Sequence, residues 1–243
     1  MTIQRLWEID FLRGLAVLAM VGSNFLFDLY FFVGLPFSQN GWPGTLARLT
    51  AGTFIFLVGV SLSLSFPKRK KEGDGWPYYC KRGCRIILLG MIVTIATWLV
   101  AGSQLVVFGV LHLIGTSIIL SYPLLRLGGF NVALGLLFFG AGMYLNGIAV
   151  SFPWLIPFGV APGAFKSVDY APLFPWWGLV LVGIGVGSVL YRGGIRRFSL
   201  PSLGKKPVIA GCCFAGRHSL IVYFAHQPIL LTGLWLYMRL LRA

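Results

Sequence analysis

The residues of this chain whose types suit chemistry inside otherwise apolar sequence are Asp10, Arg13, Asn24, Asp28, His112, Asp169, His226 and Gln227. Asn24 and Asp28 are four residues apart, which on a helix puts both side chains on one face, about 6 Å apart along the axis. An amide N–H there can polarise a carbonyl oxygen, and a carboxylate can orient a base or take a proton. Both sit in WEIDFLRGLAVLAMVGSNFLFDLY, residues 7–30. At about 100° per residue, Asp10, Gly14, Val17, Val21, Asn24 and Asp28 form one stripe with Arg13 on its shoulder. Leu12, Leu15, Leu18, Met20, Phe25 and Leu26 occupy the other faces and suit lipid or apolar neighbours. A charge at the centre of a membrane helix costs roughly 2.5–3.5 kcal/mol on insertion scales, so the stripe calls for partners or a job. Asp10 and Arg13, roughly 21 Å from Asn24, read equally as an ion pair at the membrane boundary.

His112, in FGVLHLIG, is either a proton carrier or a hydrogen-bonded core histidine. His226 and Gln227 precede Pro228 in GRHSLIVYFAHQPIL. The proline leaves a carbonyl without its usual N–H one turn back, so this segment is expected to kink and to line a cavity with polar groups. His218, beside Arg217, fits phosphate binding or plain solvation. Asp169, just before APLFPWWG, fits either an exposed carboxylate at a helix N-terminus or a site carboxylate grouped with Asp28 and His112. Cys80, Cys84, Cys212 and Cys213 do not have zinc-site spacing, and no metal is expected.

The elements that must position these residues are membrane helices. Of 243 residues, 57% are hydrophobic and only 11% charged, a composition too apolar for a soluble domain. Apolar runs at 9–33, 45–66, 86–102, 105–125, 130–150, 173–191 and 208–237 predict about seven spans. The last run is long and contains Gly211 and Gly216, so its first part is expected to be a separate turn or interfacial segment. With the N-terminus inside, sixteen of the Lys and Arg residues fall in cytoplasmic segments, against four (Arg48, Lys166, Arg239, Arg242) on the other side. The loops 34–44 and 151–172 then lie outside. The net charge of +14 is concentrated in connecting segments without a nucleic-acid module, so no nucleic-acid partner is expected. No signal-peptide pattern opens the chain, and helix 1 is expected to stay in the mature protein. There is no repeat of fixed period, no pair of inverted broken spans, and no phosphate-loop or dinucleotide fingerprint.

Five stretches in order, EIDFLRGLAVLAMVGSNFLFDL, FIFLVGVSLSLS, FGVLHLIGTSIILSYPLL, DYAPLFPWWGLVLVGIGVG and GRHSLIVYFAHQPIL, resemble the heparan-alpha-glucosaminide N-acetyltransferase catalytic-domain family, and its small prokaryotic members most closely. The resemblance implies an all-α polytopic transmembrane helix bundle, with residues 1–243 as a single acyltransferase-like domain in the cell membrane. It implies acyl transfer, with acetyl as the group moved, from cytosolic acyl-CoA to an amine or hydroxyl of a sugar or glycolipid on the outer side. Acyl-CoA, as acetyl-CoA, is then a co-substrate and no cofactor is held permanently. Asn24 falls where the family has a site asparagine. The family's catalytic histidine lies in the loop after the first span, which here reads FFVGLPFSQNGWPG and holds none. The catalytic set is therefore expected to be Asn24 as oxyanion donor with His112 and Asp28 as the base, and Asp169, His226, Gln227, Asp10 and Arg13 to bind substrate. Clustered bases from Lys68 to Lys71, Lys81, Arg82, Arg85, Arg196, Arg197, Lys205 and Lys206 suit either the CoA phosphates or anionic headgroups. The bilayer is the other partner, and a homodimer is allowed. The rival readings are a proton-coupled transporter or exporter and a catalytically degenerate membrane scaffold.

Overall fold

The computed structural model describes residues 6–34, 41–101, 105–145, 147–167, 169–204 and 206–241. Residues 35–40 of the first loop, Arg5, Gly102, Lys205 and Arg242 lie outside the described residues. Among the described residues the α-helices are α1 (Trp7–Asp28), α2 (Trp42–Lys71), α3 (Trp76–Ala101), α4 (Val110–Ser121), α5 (Asn131–Leu145), α6 (Leu173–Leu190), α7 (Pro207–Arg217) and α8 (Ser219–Leu241). Among the described residues six segments are long and apolar enough to cross a membrane: Trp7–Val33, Trp42–Lys71, Trp76–Leu99, Pro123–Leu145, Leu173–Leu190 and Ser219–Leu240. This agrees with the polytopic bundle read from the sequence.

The fourth apolar run departs from the expectation. It forms α4, of 12 residues, and then bends into a 3-10 stretch at Pro123–Phe130. At 1.5 Å per residue α4 is about 18 Å long, short of a hydrocarbon core of about 30 Å. Pro123 ends the α-geometry, because it supplies no N–H and crowds the preceding turn. The final run divides at His218 into α7 and α8, as the length of that run suggested.

The helices group into two compact units. The first takes residues up to Leu57 together with those from Leu200 onward, and the second takes Val58–Ser199. In the first, α1 packs on α7 and α8. The α1–α7 contact is a backbone-to-backbone approach. A Cβ on Gly14 would strike the Cys212 carbonyl, and one on Gly216 the Asp10 carbonyl. Only glycine permits this, as at small-residue crossings of membrane helices. The Cys213 thiol also donates to the Trp7 carbonyl at 3.3 Å. The opposite face of α1 exposes Leu12, Leu15, Leu18 and Phe25, the face assigned to lipid.

In the second unit α6 is the central helix, with Val180, Leu181 and Ile184 fully buried. It meets α5 where Gly135 and Gly178 face each other, each lying 2.5 Å from where the other's Cβ would be as measured to its carbonyl oxygen. Helix α4 is buried along most of its length against α3 and α6, and the Trp177 indole N–H donates to Ser121 Oγ at 3.0 Å. The loop before α6 is tied to the start of α4. Ser167 Oγ donates to the Leu105 carbonyl at 2.9 Å, and the Ala171 N–H to the Phe108 carbonyl at 2.9 Å.

Candidate active site

In the first unit α1 and α8 bring four polar side chains together. Asn24 Nδ2 lies 3.2 Å from His226 Nε2 and 3.1 Å from the Met20 carbonyl. His226 Nδ1 lies 2.7 Å from the Tyr223 carbonyl. One turn along α1, Gln227 Nε2 donates to Asp28 Oδ1 at 2.9 Å and Oδ2 at 3.1 Å.

These contacts fix the protonation pattern. A carbonyl only accepts, so His226 Nδ1 carries the ring proton toward Tyr223, and Nε2 is the bare nitrogen that receives an Asn24 N–H. The reverse orientation of the Asn24 amide would set Oδ1 against the Met20 carbonyl, two acceptors face to face, so the amide nitrogen belongs where it is. His226 is thus presented as a base, its tautomer set by its own helix. Pro228, the next residue after Gln227, alters the backbone locally. It has no N–H for the Phe224 carbonyl one turn back, and it lies within α8. Helix α8 nevertheless continues from Ser219 to Leu241 as one element.

Asp28 is 3% exposed and ends the regular turns of α1. The chain then widens into a π-helical turn at Leu29–Val33, closed by Gly34 at φ 80. Such turns are frequent at functional sites because they let a helix present an adjacent side chain off its normal register. At the far end of α1, Arg13 and Asp10 form an ion pair at 3.7 Å.

The other two predicted site residues lie in the second unit. Asp169 Oδ2 accepts the Val110 N–H at 3.1 Å, and its carbonyl accepts from Ser167 Oγ at 3.0 Å. The sequence reading placed it at the mouth of α6, but it serves α4, satisfying an N–H that the first helical turn leaves open. Burial pushes this carboxyl above the ordinary 3.8, with the Val110 N–H opposing the rise. His112 is 5% exposed, and its ring lies 5.8 Å from that of Phe108. The structure therefore groups Asn24 and Asp28 with His226 and Gln227, and sets His112 and Asp169 together at the start of α4. Among the described residues no group of three or more His, Cys, Asp or Glu side chains could hold a metal ion.

The family match was then decisive. Residues 5–228 match the family described as "Heparan-alpha-glucosaminide N-acetyltransferase, catalytic". The chain belongs to this family. Comparison with curated proteins and with solved structures found no match. Membership of the heparan-alpha-glucosaminide N-acetyltransferase catalytic family makes the protein a membrane transferase, and the match runs through both compact units.

What the sequence alone did not offer was the pairing of His226 with Asn24. The sequence marks His226 only as a substrate contact, and the carbonyls of Tyr223 and Met20 that orient it and Asn24 are backbone groups that no residue type reveals. The signal was present in HQP, a histidine and an amide beside a helix proline.

Proposed function

We propose that the protein transfers an acyl group, acetyl in the first instance, from acyl-CoA to an amine or hydroxyl acceptor, with His226 as the general base and Asn24 as the oxyanion donor. The observation that carries this reading is the Asn24–His226–Tyr223 chain, in which a histidine of defined tautomer presents its bare Nε2 to a side-chain amide. As the acceptor's nitrogen or oxygen attacks the thioester carbon, its proton passes to Nε2. The carbonyl π electrons move to oxygen, and collapse of that oxyanion expels the CoA thiolate, which takes the proton from the imidazolium. A base so placed supplies about 10²–10⁴ in rate.

Both hydrogens of the Asn24 amide are engaged, one by Met20 and one by His226. An acceptor whose own proton takes Nε2 releases one of them. That N–H then becomes free for the oxyanion, so the donor is armed by the arrival of the nucleophile. Asp28, held by Gln227, adds a negative charge beside the same helix face. It favours the imidazolium formed in the transition state and attracts a cationic acceptor. The loop histidine that the family resemblance leads one to expect is thereby replaced by one on α8. The charge distribution supports a multi-pass cell-membrane protein with the donor on the inner side and a sugar or glycolipid acceptor on the outer side, and the span of the family match supports one catalytic domain.

The test is thiol release from acetyl-CoA by the purified full chain in detergent, measured with and without glucosamine as acceptor. Acceptor-dependent release that falls at least 100-fold in His226→Gln is the expected result. Unchanged release in that variant would move the base elsewhere, and no release at all from folded protein would favour the transporter or scaffold readings.

A further inference from the structure

The loop between α5 and α6 carries a surface that the proposed reaction does not use. No Asp, Glu, Lys, Arg or His occurs between Arg126 and Lys166, so the chain stays uncharged from the end of α5 at Leu145 to Phe165. It is nevertheless a folded loop. Ile156 and Val160 are buried, the Tyr170 hydroxyl donates to the Ile156 carbonyl at 2.6 Å, and the Val150 N–H donates to the Ala161 carbonyl at 3.4 Å. The Ile156, Phe158 and Gly159 N–H groups donate to carbonyls three residues back, at 3.1, 2.9 and 3.1 Å. Pro153, Pro157 and Pro162 have no N–H to place. Out of this frame stand Phe152, Trp154 and Phe158, all exposed. Trp154, at 81%, is the most exposed large apolar side chain among the described residues.

We propose that this loop is a membrane-surface anchor, which inserts Phe152, Trp154 and Phe158 into the lipid of the leaflet at which α5 ends. Helix length sets its level. Helices α5 and α6 lie side by side and antiparallel, since a Cβ on Gly185 would meet Val132 and one on Gly142 would meet Pro175. Arg126 and Arg192 stand at the other end of the pair, and Gly128 breaks the chain ahead of α5 at φ 53 and ψ −127. From that end α5, of 15 residues, reaches about 22 Å, and α6, of 18 residues, about 27 Å, against a hydrocarbon core of about 30 Å. The chain therefore leaves α5 no higher than the layer where hydrocarbon meets headgroup, and tilt lowers it further. Unpaired backbone is costly at that depth, and the loop's internal hydrogen bonds reduce the cost. Tryptophan suits this layer, with an apolar ring body and an N–H for the wet side. An apolar face without a charged rim fits lipid better than a protein interface, whose core is ringed by polar side chains. Having no charge, the loop does not select headgroups by charge, so neutral lipid suffices. The anchor uses none of the residues of the proposed transfer site.

Spin-label accessibility in the full chain, reconstituted in vesicles of neutral phosphatidylcholine, tests this. Cys80, Cys84, Cys212 and Cys213 are first replaced by Ser, and Cys213→Ser keeps a donor for the Trp7 carbonyl. The label is attached at Ser151→Cys, an exposed position beside the aromatic residues, with the exposed Lys166→Cys as the water-side control. Oxygen, which partitions into lipid, and nickel(II) ethylenediaminediacetate, which stays in water, are the two collision reagents. At residue 151 oxygen collisions should exceed nickel collisions several-fold, whatever the salt concentration and with or without added phosphatidylglycerol, and at residue 166 nickel should prevail. Trp154→Ser should shift the ratio at residue 151 several-fold toward nickel. That side chain is exposed, so the substitution removes little packing, and Phe152→Ser is a second variant with the same expected direction. Nickel prevailing at residue 151 would overturn the proposal by placing the loop in water. Few collisions with either reagent would overturn it in favour of a protein cover, such as a second copy. A ratio unmoved by both substitutions would do so as well. None of these results depends on thiol release, so this proposal and the transfer reaction fail separately.

Discussion

The proposed role of His226 Nε2 as a base holds only as long as the other nitrogen keeps its proton on the Tyr223 carbonyl, and this makes the site sensitive to small substitutions. Asn24→Ala removes the proposed oxyanion donor but leaves the proposed base, so kcat should fall about 10²–10³ with a smaller change in KM. Asp28→Asn keeps an acceptor for the Gln227 N–H and loses only the charge. Its main effect should therefore be on a cationic acceptor, a KM for glucosamine raised about tenfold or more, with the KM for acetyl-CoA unmoved. Steady-state kinetics with each substrate varied in turn decides this, and equal effects on both KM values would deny Asp28 its role toward the acceptor. The sequence made Asn24 and Asp28 legible because they are one turn apart on the same helix. It could not show that His226, 202 residues away from Asn24, completes the pair, since no periodicity relates positions on helices so distant in the chain.

Helices α1 and α7 hold this geometry through contact that tolerates no side chain. Gly14→Val drives a branched side chain into the Cys212 carbonyl, and should lower stability by about 1–3 kcal/mol or block folding. Gly22, on the exposed side of the same helix, has nothing within 4 Å of its Cβ position. Gly22→Ala should accordingly be neutral or stabilising, by up to about 1 kcal/mol, through helix propensity. Thermal unfolding of the two variants in one detergent gives the comparison. At the start of α4 the relevant balance is electrostatic. Burial raises the Asp169 carboxyl above 3.8 in the folded protein, so the folded state binds the proton more tightly than the unfolded one. The stability this contributes is present at pH below 3.8 and is lost as pH rises through the higher folded value. Asp169→Asn keeps an oxygen for the Val110 N–H and removes the titration. Its Tm near pH 7 should rise by about 2–4 °C for each kcal/mol relieved, and the loss of stability with rising pH should flatten. The positions of the long helices were legible from apolar runs. The early start of α3 at Trp76 was not, because its first turns carry Lys81, Arg82 and Arg85, which hydropathy reads as loop. Nor was the shortness of α4, since the apolar run 105–125 does not show that its helix begins only at Val110 and stops at Ser121.

At the scale of the whole molecule the reaction depends on which membrane face the Asn24–Asp28 end of α1 meets. On the proposed orientation, in which Lys and Arg mark the inner side, the turn between α2 and α3 lies inside. There Arg69 donates to Glu72 at 3.0 Å and Asp74 at 3.1 Å and lies over the Tyr78 ring at 4.5 Å. Cys84 lies two turns into α3 from that turn and is exposed, among the basic residues that mark the interface. A variant retaining Cys84 alone should therefore resist a membrane-impermeant maleimide in intact cells and react after permeabilisation. Since α1 runs for 22 residues, about 33 Å at 1.5 Å per residue, an inner Asp10 end requires an outer Asp28 end. The acyl group would then have to cross most of the bilayer to reach Asn24. Labelling of Cys84 from outside would reverse the orientation and put Asn24, His226 and Asp28 on the cytoplasmic side. There acyl-CoA would meet them directly, and the acceptor would have to be a cytoplasmic amine or hydroxyl.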